Sequence, residues 1–119
     1  MFVLIGHGYV GKKIKASLEL NKIPHMWISH NDPISPNARA IINAAGFTGK
    51  PNVDACETHK QETIDGNVLF PVALEQANPN TPIIHISSGC VYDGYVDGGY
   101  TEEDKPNFTF NNGSFYSGS

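Results

Sequence analysis

The feature that most constrains this chain is the hexapeptide GHGYVG (Gly6, Gly8, Gly11), which follows directly on the apolar run Met1–Ile5. A short continuous apolar run bounded by glycine suits a strand buried on both faces. After the turn the period changes. Val10, Ile14 and Leu18 recur every four residues with Lys12, Lys13 and Lys15 between them, which predicts an amphipathic helix ending near Asn21. A G-x-G-x-x-G turn between a strand and a helix has a physical reading at each glycine. Gly6 permits the tight turn, Gly8 lets backbone approach a pyrophosphate, and Gly11 lets helix and strand pack closely. The helix N-terminus then offers free N–H groups and partial positive charge to phosphates. Tyr9 and Val10 would lie against the same ligand. A tight strand–helix turn with no ligand is the alternative.

Further along, Ile23–Ser29 is a second expected strand, and HNDPISPN is turn chemistry that leaves no room for a helix. A third strand is expected about Ala38 to Asn43. A long helix should follow, roughly Asp54 to Ala77, bent at Pro71 so that the carbonyl of Asn67 is freed. Asn67 is then either a tolerated polar residue or a support for a water near the site. Ile83–Ser87 reads as a fourth strand. Gly89 to Ser114 shows little periodicity, and a structureless stretch of that length is more often a functional loop than filler.

At 119 residues the chain is one domain, 1–119, with an ordinary globular composition. A net charge of −4 gives no basic footprint for nucleic acid. No apolar run approaches the ~20 residues needed to cross a bilayer, and the N-terminus lacks the charged region of a signal peptide. With no sign of secretion, Cys56 and Cys90 read as reduced thiols in a cytoplasm. No metal-ligating pattern is present.

The dinucleotide's identity turns on the end of the second strand, where an acid holds the ribose hydroxyls of NAD and a basic residue accommodates the phosphate of NADP. Here stand Ser29, His30 and Asn31. The missing acid favours NADPH, with NADH the alternative.

The segments INAAGFTGKPNVDACETHKQETIDGNV, SSGCVYD and EEDKPNFTFNNGSFYS resemble the extended short-chain dehydrogenase/reductases. They are most similar to the bifunctional 3,5-epimerase/4-reductases that make nucleotide-linked rhamnose, relatives of dTDP-4-dehydrorhamnose reductase. The resemblance runs through nearly the whole chain from Ile41. In that family the glycine turn is usually one residue longer, and the segment after the second strand is longer and often carries Arg. The resemblance implies an α/β, Rossmann-like open and mostly parallel sheet with flanking helices, here expected to be truncated before its C-terminal part.

Reduction of a 4-keto sugar needs a hydride donor and an acid for the forming alkoxide. A tyrosine serves when a neighbouring lysine ammonium lowers its pKa from about 10. Tyr116 matches the family's acid, and the partner lysine would be the residue after Ser119. Ser88 matches the hydroxyl that hydrogen-bonds the substrate carbonyl. Epimerisation beside a ketone needs two acid/base groups, and a thiol, with a free pKa of about 8.5, can be one of them. The resemblance assigns that role to Cys90, with a lysine later in the family's chain as its partner. Asn43, Ala44 and Ala45 would pass against the cofactor, with Ser87 beside it. Thr48, Lys50 and Asn52 would face the sugar of a nucleotide-sugar substrate. His85 reads as a satisfied core histidine, Cys56 as packing, and Glu102, Glu103 and Asp104 as a solvated loop face. The unpaired edge of the fourth strand invites self-association, so a homo-oligomer stays open. A catalytically inactive nucleotide- or partner-binding remnant, and another sugar-nucleotide dehydratase or 4-epimerase, are the competing readings.

Overall fold

A computed structural model describes residues 1–119 and forms the expected open α/β sheet. Four parallel strands stand in the order β2-β1-β3-β4: β1 Phe2–Ile5, β2 His25–Ile28, β3 Ala40–Asn43 and β4 Ile83–His85. Every pairing is parallel, and β2, β3 and β4 are each shorter than the apolar runs that announced them. No helix connects β2 to β3, as the two prolines of that segment require. Val3, Leu4, Ile5 and Ile41 are almost wholly buried, and Ile28 and Leu74 close the core over them. β1 is covered on both faces, hence its unbroken apolar sequence. The chain leaves β1 for one side of the sheet and returns to its other side for β3. The switch point, where such sheets hold ligands, therefore lies at the C-terminal ends of β1 and β3.

The first helix, α1, runs Tyr9–Leu20. Its inward stripe is Gly11 and Leu18, both buried, with a half-buried Ile14, rather than Val10, Ile14 and Leu18; Val10 is 43% exposed. The reason is the close approach at Gly11, where a Cβ would stand 2.1 Å from the Gly6 carbonyl oxygen. With no side chain at position 11 the helix comes down onto the turn, and Val10 is rotated outward. The helix stops where Lys22 takes a positive φ of 54° and Ile23 N–H returns to the Leu18 carbonyl at 2.9 Å.

The single long helix expected over 54–77 is divided. Val53–Glu57 forms a 3-10 turn, α2 runs Lys60–Ile64, a wide π-turn takes Asp65–Leu69, and α3 runs Phe70–Ala77. Pro71 falls in the first turn of α3, where its missing N–H costs little. The preceding turn widens so that Phe70 N–H reaches the Asp65 carbonyl, five residues back. The consequence for Asn67 differs from both expectations, because its side chain does the bonding. Oδ1 accepts from Phe47 N–H at 2.7 Å, and Nδ2 donates to Phe47 O at 2.9 Å and to Ser119 Oγ at 3.0 Å.

The stretch after β4 has no strand and only one short helix, α4 Phe115–Gly118. It is ordered by local bonds. The Tyr92 and Tyr100 rings stack at 4.3 Å, Asn107 brackets the Asp93 backbone, and Asp104 Oδ2 accepts from Thr101 N–H at 2.7 Å. Asp104 thus has a turn-capping role that a solvated acidic face did not anticipate. No helix is long and apolar enough to cross a membrane.

Three substitutions check this account. Gly11→Ala should lower the urea-unfolding free energy by about 1–3 kcal/mol, the usual cost of overpacking. Gly8→Ala, whose Cβ would meet nothing within 4 Å, should move it far less. Asn67→Ala removes three hydrogen bonds at once and should cost a further ~1–3 kcal/mol, because it leaves the Phe47 backbone groups unpaired.

Candidate functional site

A cleft of about 310 Å³ opens at the C-terminal ends of β1, β3 and β4. Its floor is the glycine turn, contributing Gly8, Tyr9 and Val10. One wall is the segment after β3, Ala44, Ala45, Gly46 and Thr48; the other is the segment after β4, His85, Ile86, Ser87 and Ser88. Asn67, Tyr116 and Ser119 close the far side. Residues expected at one site from four distant segments therefore share one surface.

The glycine turn is shaped by backbone contacts on every side but one. Gly6 has φ +111°, and a Cβ there would stand 2.7 Å from the Ala44 carbonyl oxygen. The Trp27 indole, reaching across from β2, donates to the Gly6 carbonyl at 2.9 Å. The His7 ring meets that indole edge-on at 4.4 Å. Gly6 and Gly11 are thus buried spacers, and Gly8 alone of the three faces open space. Gly8 is also the N-cap of α1, and its carbonyl accepts from Lys12 N–H at 3.0 Å. Nothing in α1's first turn carries negative charge, so the partial positive charge of the helix start stays unopposed there.

Several expected site residues hold other positions. Asn43 is fully buried and does not reach the cleft. Its amide binds His85 Nδ1 at 3.1 Å and accepts from Ala45 N–H at 3.1 Å, so it shapes the wall from behind. His85 is correspondingly an exposed cleft residue rather than a core histidine. Asn52 caps the 3-10 turn, accepting from Asp54 N–H at 3.0 Å, and lines neither this cleft nor its neighbour. A capping asparagine is one that sequence alone cannot tell from a ligand-binding one. Ser29 lies beyond the cleft lining at the end of β2, where its N–H donates to Asp32 Oδ2 at 2.7 Å. Asp32 thereby folds a carboxylate back to the strand end that had offered no acid.

Ser88 lines the cleft, and its Oγ accepts from Cys90 N–H at 3.2 Å. The hydroxyl therefore starts the turn into the long loop while remaining on the cleft wall. Cys90 is exposed and unpaired, and it sits outside the cleft lining. Cys56 is fully buried, with Sγ 4.0 Å from the Phe47 carbonyl oxygen, as a packing residue should be.

A second hollow of about 350 Å³ adjoins the first and shares Gly46 and Thr48 with it. Lys50 and His59 line it as well. His59 went unremarked in the sequence because it sits in the break between two helices predicted as one. Its Nδ1 lies 2.9 Å from the Ala55 carbonyl oxygen, which fixes the ring.

Known proteins match this arrangement. A bifunctional dTDP-4-dehydrorhamnose 3,5-epimerase/dTDP-4-dehydrorhamnose reductase of Arabidopsis thaliana is 45% identical over 85 residues, 65% of this chain and 27% of that protein. The trifunctional UDP-glucose 4,6-dehydratase/UDP-4-keto-6-deoxy-D-glucose 3,5-epimerase/UDP-4-keto-L-rhamnose-reductase RHM3 of the same plant is 44% identical over 85 residues, 65% of this chain and 12% of that protein. The chain thus spans only about an eighth to a quarter of these relatives. Among solved structures, a hypothetical dTDP-4-dehydrorhamnose reductase from Sulfolobus tokodaii superposes with TM-score 0.68 at 25% identity, over 98% of this chain and 48% of that one. MoeE5, in complex with UDP-glucose and NAD, superposes with TM-score 0.74 at 19% identity, over 98% and 44%. The RmlD substrate-binding domain matches residues 29–111, from the end of β2 to the loop before α4. That match takes in well over half of the sequence and both walls of the cleft, and the chain belongs to the RmlD substrate-binding domain family.

Proposed function

We propose that this chain forms the dinucleotide-binding part, and one face of the catalytic site, of an enzyme that reduces a nucleotide-linked 4-keto-6-deoxy-hexose toward nucleotide-rhamnose. The observation that carries the reading is the single cleft in which the glycine turn, Ser88 and Tyr116 face one another. The turn fits a dinucleotide on geometric grounds. Gly6 and Gly11 are filled by neighbouring backbone, whereas Gly8 leaves the room a pyrophosphate needs beside the start of α1. Ala44 and Ala45 present small side chains to the same space. When bound, NADPH, or NADH in its place, supplies the hydride for the ketone carbon.

The chain's own residues supply the rest. Tyr116 gives its phenolic proton to the carbonyl oxygen as that oxygen becomes an alkoxide. The Ser88 hydroxyl donates a hydrogen bond to the same oxygen and holds it toward the tyrosine. Thr48 and Lys50 face the sugar from the adjoining hollow, and the fixed His59 ring extends that surface. Cys90, two residues past Ser88, acts as one of the two acid/base groups of a 3,5-epimerisation. Its thiol is exposed and free, as that role requires, although it stands outside the cleft lining.

A fluorescence titration with NADPH and NADH tests the reading. Saturable binding is expected, with Gly8→Val abolishing it while leaving urea stability nearly unchanged. A folded chain that binds neither dinucleotide would sink the proposal. In an enzyme that carries this segment together with the rest of the catalytic site, Tyr116→Phe should leave dinucleotide binding intact and lower turnover of a 4-keto nucleotide-sugar by roughly 10²–10⁴-fold, the usual worth of a positioned acid. The 119-residue chain by itself is expected to show little or no turnover.

A further inference from the structure

The helix carrying Tyr116 cannot hold itself. α4 has four residues, and no strand or helix lies between His85 and Phe115. An isolated single turn is unstable in water, so its position depends on what grips it from outside. At its start, Ser114 Oγ accepts from Ser117 N–H at 3.1 Å, which satisfies one of the free donors of the first turn. The first of them, Phe115 N–H, is taken by a residue 58 positions earlier: Glu57 Oε1 accepts from it at 2.7 Å. The Lys60 ammonium stands 5.2 Å from the centroid of the Phe115 ring.

Glu57 is itself well founded. It ends the 3-10 turn that Asn52 caps, and its neighbour Cys56 is fully buried against the Phe47 carbonyl. The carboxylate projects from a turn fixed to the cleft wall, and it meets the helix at the end where negative charge is favoured. Glu57 does not line the cleft.

We propose that Glu57 is a positioning residue for Tyr116, a strut from the segment PNVDACE that sets where the phenol stands in the cleft. This rests on the reading of Tyr116 as the acid. Glu57 touches neither ligand nor reacting atoms and acts through the Phe115 backbone alone.

Backbone amide exchange by NMR, on the chain as it stands, tests the strut without any ligand. Glu57→Ala should speed exchange at Phe115 and Ser119 by about tenfold, the loss expected for a bond to a charged acceptor. The amides of Leu4 and Ile41 in the sheet should not change. Glu57→Gln keeps an acceptor oxygen at the same reach and should bring both rates close to wild type. Nitration of Tyr116, followed by peptide mass, should rise in the alanine variant while that of Tyr92 and Tyr100 does not. Unchanged exchange at Phe115, an equal acceleration in the sheet, or a glutamine variant as fast as alanine would each overturn the strut. Dinucleotide affinity belongs to the glycine turn and should be the same in all three proteins. A wild-type chain that binds no dinucleotide would overturn the functional reading, and the exchange rates would still decide the strut.

Discussion

Everything in the cleft depends on the contact between Gly11 and the Gly6 carbonyl. The start of α1 rests on the backbone of the turn before it, with no room for even a methyl group. Gly6 in turn is pressed against the Ala44–Ala45 backbone at the end of β3. Three pieces of main chain therefore meet with no side chain between them. That stacking fixes the direction in which the N-terminal turn of α1 points, and it leaves Gly8 as the one uncrowded position. The Trp27 indole completes the arrangement from β2 by occupying the carbonyl that the turn exposes. An open parallel sheet has its ligand crevice where strand order reverses, and here the glycines determine how deep that crevice is.

The second organising element is a polar side chain standing in for secondary structure. The segment after β3 leaves the sheet, so its backbone groups lose their ladder partners. Asn67 supplies both a donor and an acceptor to Phe47, as a neighbouring strand residue would. The π-turn is what brings a side chain from the helix to that place, which is one reason widened turns recur at functional sites. The same amide also reaches Ser119, so one residue ties the cleft wall to the segment bearing Tyr116. No buried side-chain polar atom lacks a partner. The cost of leaving such groups unpaired, roughly 1–3 kcal/mol each, is avoided throughout this crowded region.

These two elements mark the boundary of what could be read in advance. GHGYVG and the apolar runs were legible because glycine and buried strands each leave a pattern that few other structures need. Val10 was misplaced because periodicity ranks apolar residues, and it does not show that a glycine beside one of them has taken its place against the sheet. The division of the helix over 54–77 was half legible: Pro71 announced a disturbance, but a widened turn and a bend leave the same sequence trace. Asn43, Asn52, Asn67 and His85 were the hardest. Capping a turn, bridging two strands and binding a ligand all call on the same amide and imidazole groups. Only the distances separate them. In each case the structural bond was local or ran between segments that sequence reading treats as separate.

The two faces of the cleft also differ in how firmly they are held. The face built from β1, β3 and α1 belongs to the buried core. The face that carries Ser88 and Tyr116 belongs to a long irregular stretch whose bonds are mostly turn-sized and exposed. The radius of gyration, 15.7 Å, exceeds the roughly 13.5 Å expected of a compact domain of this length. Ile84 and Ile86 at the outer strand remain 51% and 38% exposed. Groups on a loop gain precision only from the scaffold that grips them. Here that grip comes through Glu57 and Asn67, both set on the divided helical segment rather than on the sheet. A floor packed into the sheet core and a wall held through a few side-chain bonds then follow from where the buried contacts lie.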